Sequence, residues 1–169
     1  MRRLVVGLLA LISFFSFIGW TIADGVNEHR FNVNCKQYIK RAADASSVEV
    51  AKRELSKAIE YCENNGLTEG IVSIFFKQPK NDIGFWYEYL KIAYAELDAL
   101  PDDPTPLEKT YVLMRVRESL TDSNENGVFV TRPDGIEKYP NNALYFWWCI
   151  ISLLAFIVFF LWFLFDDYY

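Results

Sequence analysis

Two uninterrupted apolar runs, Leu4–Ala23 and Ala143–Phe165, bracket a polar middle segment of this chain. A helix of about 20 residues, rising 1.5 Å per residue, crosses the ~30 Å hydrocarbon layer of a bilayer. Each run is long enough to do so. The sequence therefore predicts five segments. Residues 1–3 form a cytoplasmic N-terminus, 4–23 a first transmembrane helix and 24–142 an extracytoplasmic helical domain. Residues 143–165 form a second transmembrane helix and 166–169 a cytoplasmic tail. The expected fold class is all-α: a transmembrane helix hairpin bracketing an extracytoplasmic helical bundle, with a minor extended element.

The first run also carries marks of a cleavable signal. Arg2 and Arg3 precede it, and Thr21-Ile22-Ala23 places small residues at −3 and −1 of a cleavage point after Ala23. Its length exceeds the roughly 7–15 residues of a signal-peptide core, which favours a retained anchor. Aromatic belts flank the second run: Tyr145, Phe146, Trp147 and Trp148 at one end, Trp162, Tyr168 and Tyr169 at the other. Arg2 and Arg3 favour a cytoplasmic N-terminus, and two spans return the C-terminus to the same side. Small residues recur in both runs, at Gly7, Ala10, Ser13, Ser16 and Gly19 and at Cys149, Ser152 and Ala155. They allow the two helices to pack closely or to recruit another. No ionisable residue lies within either run, which argues against an ion pathway.

All but two of the 17 Lys/Arg and all but two of the 22 Asp/Glu fall between the runs, a net of −5. A mildly acidic domain disfavours nucleic acid as a partner and disfavours a polybasic lipid patch. About 120 residues suffice for one compact domain. Punctuation divides them into four helices. The first runs from about Asn27 to Ala45, with Phe31, Cys35, Tyr38, Ala42 and Ala45 on one face. The second starts at the capping box Ser46-Ser47-Val48-Glu49, Ser46 serving the Glu49 amide, and ends at Asn64-Asn65-Gly66. The third, Ile83 to Leu100, is capped by Asn81 or Asp82 and stopped by Pro101. The fourth begins at Thr105-Pro106-Leu107-Glu108 and runs to about Leu120. Ile71–Phe76 reads as a buried strand or irregular core segment, and Val128–Thr131 as a short extended piece that could pair with it.

Asn81-Asp82-Ile83-Gly84-Phe85-Trp86-Tyr87, together with Tyr139-Pro140-Asn141-Asn142 leading into the last apolar run, resembles an uncharacterised family of small two-pass bacterial membrane proteins. The resemblance implies a bacterial envelope location alone; with the orientation read from Arg2 and Arg3, the expected place is the inner membrane with both termini inside. It brings no activity, cofactor or catalytic residue with it.

Cys35 and Cys62 lie on the apolar stripes of consecutive helices joined by a tight turn. Cys35 should stand within one helical turn of Cys62, and an exported domain is where a disulfide between them would persist. No Cys-x-x-Cys is present, so a catalytic redox pair is disfavoured. Asp122-Ser123-Asn124-Glu125-Asn126-Gly127 matches the first half of a calcium loop, with Asp122, Asn124 and Asn126 as ligands. Pro133 stands where the bidentate Glu belongs, so any calcium site is weak and an Asx-rich helix exit is the simpler reading. His29 is the only histidine, which leaves zinc sites and Ser-His or Cys-His nucleophiles without material. No cofactor motif occurs. Phe85, Tyr87 and Tyr89 fall off the third helix's core stripe of Ile83, Trp86, Leu90, Ala93, Leu97 and Leu100. They either pack on a neighbouring element or form a partner-binding face. The sequence thus points to a non-enzymatic interaction protein, an accessory subunit or envelope scaffold, whose partners are membrane lipid and another membrane or envelope protein, or a second copy. The alternative is a sensor-type ligand-binding domain acting through a partner membrane protein.

Overall fold

The computed structural model describes residues 2–125 and 127–165. It is mostly helical, with α1 (Arg2–Phe31), α2 (Gln37–Ala43), α3 (Val48–Asn64), α4 (Ile83–Asp98), α5 (Pro106–Leu120) and α6 (Asn142–Phe165). Its two strands, β1 (Thr121–Asn124) and β2 (Gly127–Val130), form an antiparallel hairpin. Two helical stretches, Arg2–Ala43 and Asn142–Phe165, are long and apolar enough to cross a membrane. The chain divides into two compact units, one holding residues up to Glu28 and from Pro140, the other His29–Tyr139. Met1, Asn126 and the proposed tail 166–169 lie outside the described residues.

In the first unit α1 and α6 pack along the small-residue stripes. Ala10, Ser13 and Ser152 are buried, and a Cβ on Gly7 would come within 3.3 Å of Phe163. The Trp148 indole N–H donates to Ser16 Oγ at 3.0 Å, and Ser16 and Ser152 hydroxyls share a hydrogen bond of 2.9 Å. Asn27 donates its amide to the Tyr145 hydroxyl at 2.6 Å. These side-chain bonds add directional contacts to the close packing of the two helices.

The second unit is a helical bundle closed by the hairpin. No helix start separates the first apolar run from the helix expected at Asn27; α1 continues unbroken to Phe31. A π turn, Asn32–Lys36, then joins it to α2. This wide turn adds a residue to the helical repeat. Phe31, Cys35 and Ile39 face the core in consequence, and Tyr38, expected on the stripe, is only partly buried. The cap of α3 is Ser47, whose Oγ accepts from the Val50 amide at 3.3 Å, one residue beyond the expected Ser46. Its end is a full Schellman turn: Gly66 adopts φ +66, and the Gly66 and Leu67 amides donate to the Glu63 and Cys62 carbonyls. Asp82 caps α4, and Thr105 with Glu108 forms the reciprocal capping box of α5 behind Pro106.

Two expectations are corrected. Val128–Val130 pairs with Thr121–Asn124, not with the 71–76 segment, because Gly127 takes φ +116 and turns the chain back on the strand just before it. Ile71–Phe76 is not a strand: only Ile71 forms an isolated bridge, to Asp82, and of the rest Val72 alone is buried.

Candidate functional site

The motif Asn81–Tyr87 builds a pocket. The Asn81 carbonyl accepts from the Val72 amide at 3.0 Å, and the Asp82 carboxylate accepts from the Phe85 amide at 3.1 Å. These bonds fix the first turn of α4. Gly84 lies against the preceding loop, where a Cβ would meet the Thr68 carbonyl at 3.6 Å and Asp82 at 3.3 Å. Trp86 points inward and donates its indole N–H to the Thr131 carbonyl at 2.7 Å, tying α4 to the residue after β2. Phe85 and Tyr89, one turn apart, point outward with ring centroids 4.7 Å from each other. They remain 54% and 42% exposed, far above what an aromatic packed on a neighbouring element would keep.

Between these rings and the end of α5 lies a cavity of about 320 Å³. Buried Trp86, Leu90 and Leu120 floor it, Phe85, Tyr89, Pro79 and Pro133 wall it, and Lys80, Asp82 and Arg132 supply its charges. Arg132 is itself positioned: its guanidinium donates to Glu137 at 3.0 Å and lies 5.3 Å from the Phe31 ring centroid. A mostly apolar concavity with a few placed charges suits either a small ligand or one large side chain of a protein partner. Tyr87, the third aromatic named from sequence, is buried on the other side of α4. It donates to Glu63 at 2.5 Å, and burial with that bond pushes its hydroxyl up to about 12. It therefore joins α4 to α3 and does not line the cavity.

The disulfide expected between Cys35 and Cys62 is not formed. The register was read correctly, since the two sulfurs stand 3.7 Å apart with no exposure, but they meet as free thiols. The hydrogen bond between them, together with burial, pushes the Cys35 thiol far above the ordinary range. Asp122 and Asn124 lie on β1, with the Asp122 carboxylate accepting from the Ser123 amide at 2.7 Å; Asn126, the third calcium candidate, lies outside the described residues. Among the described residues no three His, Cys, Asp or Glu side chains gather around a common point. His29 is exposed.

Comparison with protein-family models, with curated proteins and with solved structures finds no match to this chain. The site is therefore read from its own geometry.

Sequence reasoning missed two features. The prolines flanking the aromatics, Pro79 and Pro133, are pocket walls; their place was legible only in the observation that each adjoins a segment with no regular periodicity. Glu54 was also passed over. It is fully buried on α3, with Arg41, Arg53 and Lys57 within 3.3, 3.1 and 3.7 Å of its carboxylate. Its signal was present: Ala51, Glu54 and Ala58 share one helical face, so an acid stands in the apolar stripe.

Proposed function

We propose that this protein is a non-enzymatic, membrane-anchored interaction protein, an accessory subunit or scaffold of the bacterial envelope. In this reading both apolar helices cross the inner membrane, both termini are cytoplasmic and residues 24–142 stand outside the cytoplasm. The observation that carries the reading is the solvent-facing Phe85–Tyr89 pair beside an apolar cavity, on a helix start locked by Asp82, Gly84 and Trp86. Such a rigid aromatic rim around a concave floor suits one buried anchor side chain from a partner, the arrangement that concentrates binding energy at protein interfaces.

The decisive experiment is purification of the tagged full-length chain from its native membrane in mild detergent. The wild-type protein should retain a stoichiometric partner or a second copy of itself, and Tyr89→Ala and Phe85→Ala should lose it while keeping the fold. The cavity's size, at the small end of ligand sites, supports the sensor reading as the alternative. A protein that purifies alone and whose melting temperature rises with a small molecule, the rise being lost in Tyr89→Ala, would replace the first reading with the second.

A further inference from the structure

Beyond the pocket, we propose that the loop Ser73–Lys80 is a bilayer-seeking element that inserts Ile74, Phe75 and Phe76 into the interfacial layer of an anionic membrane. The inference rests on the two apolar helices crossing a bilayer, and otherwise on the loop itself. The loop is a closed excursion pinned at its base by the Ile71–Asp82 bridge and by the Val72 amide donating to the Asn81 carbonyl. At its tip the Phe76 amide donates to Ser73 Oγ at 3.2 Å, a tight turn that presents three large apolar side chains in succession. They are 38%, 61% and 74% exposed, a density of exposed hydrophobes that marks an interaction site.

Charge selects the occupant. The domain is acidic as a whole, yet from Gly70 to Asn81 there is no carboxylate, while Lys77 and Lys80 follow the apolar tip and both are exposed. An aromatic-aliphatic tip followed by lysines complements an anionic lipid surface: the rings enter the headgroup–acyl boundary and the ammonium groups meet phosphates. A soluble domain would expose such a tip at the cost of aggregation. A domain joined to spans at both ends is never far from lipid, and that tether makes a weak insertion effective.

The test places a nitroxide spin label at Phe75→Cys, and separately at Phe76→Cys, in the full chain carrying Cys149→Ser. Cys35 and Cys62 are enclosed and do not compete for the label. The protein is reconstituted in bilayers of phosphatidylcholine with and without phosphatidylglycerol. Collision with oxygen, which concentrates in lipid, is compared with collision with a water-soluble nickel chelate. Labels at Val158→Cys in α6 and Asp102→Cys in the exposed turn before α5 give the lipid and water references. Expected in the anionic bilayer is an oxygen-to-nickel ratio at both loop positions close to that of Val158, falling several-fold towards that of Asp102 when Lys77→Glu and Lys80→Glu are combined. A loop label as open to nickel as Asp102 overturns the proposal, as does one shielded from both reagents, which would mean a protein contact. Should Val158 also report water, the membrane-spanning reading falls with it; a lipid-like Val158 beside a water-like Phe75 sinks the loop proposal alone.

Discussion

Trp86 and Tyr89 are three positions apart on one helix and have opposite duties. Trp86 is 6% exposed and bonded to Thr131, so Trp86→Ala should cost about 3–5 kcal/mol, as removal of a buried aromatic does. Tyr89 keeps 42% of its surface in water, so Tyr89→Ala should cost about 1 kcal/mol or less, chiefly its contact with Phe85. Thermal melts of the two variants check both; a Tyr89→Ala loss as large as that of Trp86→Ala would make the residue core. The buried thiols give a second expectation. In the folded chain Cys35 and Cys62 should resist alkylation by iodoacetamide, because access is closed and the Cys35 thiolate is disfavoured. Both should react once denaturant opens the bundle, and rapid labelling under native conditions would contradict the packing. At this scale the helical stripe of α4 was legible but for its last member: Ile83, Trp86, Leu90, Ala93 and Leu97 are buried, while Leu100 lies past the helix end and is only half-buried. The state of the two sulfurs was not: spacing brings thiols together but does not decide whether they are oxidised.

Between elements, the buried acid of α3 links α3 to α2 through Arg41, with Arg53 and Lys57 of α3 itself on the same carboxylate. Burial opposes the Glu54 charge, but the bond from Arg53 and the nearby Arg41 and Lys57 outweigh it and hold the carboxyl below its ordinary 4.5. A carboxyl whose folded pKa is depressed binds fewer protons folded than unfolded. Its stabilisation is therefore complete above pH 4.5 and is lost as the pH falls below that value, through the folded pKa. Glu54→Gln should lower the melting temperature near neutral pH and converge with wild type in acid, which melts taken from about pH 6 to about pH 3 will show. A constant gap across that range would assign Glu54 a packing role alone. Helix limits and caps at this scale were readable because Ser, Thr, Asp and Gly act through local backbone bonds. Strand pairing was misread because the apolar content of Ile71–Phe76 suggested burial, whereas the turn at Gly127 already joined Val128–Val130 to its nearer neighbour.

For the whole chain, the proposed topology makes a sharp prediction. Alkaline phosphatase fused near Leu100 should be active, and fused after Tyr169 inactive; the reverse pattern would invert the orientation. The two apolar helices and their small-residue seam were plain from the sequence, because long unbroken apolar runs form helices and close packing calls for small side chains. The pocket was only half legible. Its aromatic rim follows from one helix's periodicity, but its prolines and Arg132 come from segments far apart in sequence and meet only through the fold.

The wide turn at Asn32–Lys36 makes chain length, more than residue identity, the sensitive variable in that stretch. Val33 is exposed and its side chain is free to drift to almost any polar or small residue, while Asn34 donates its amide to the Arg30 carbonyl at 2.9 Å. Deleting either one would convert the wide turn to an ordinary α turn with Phe31, Cys35 and Ile39 nearly in phase, whereas inserting one more residue would rotate Phe31 by about 100° against Cys35 and Ile39. The aromatic that meets Trp86 and the thiol that meets Cys62 could then no longer face the core together. A scan of this segment should thus tolerate most substitutions at Val33 and a single-residue gap, and reject single-residue insertions, a pattern that marks a helix keeping phase by counting.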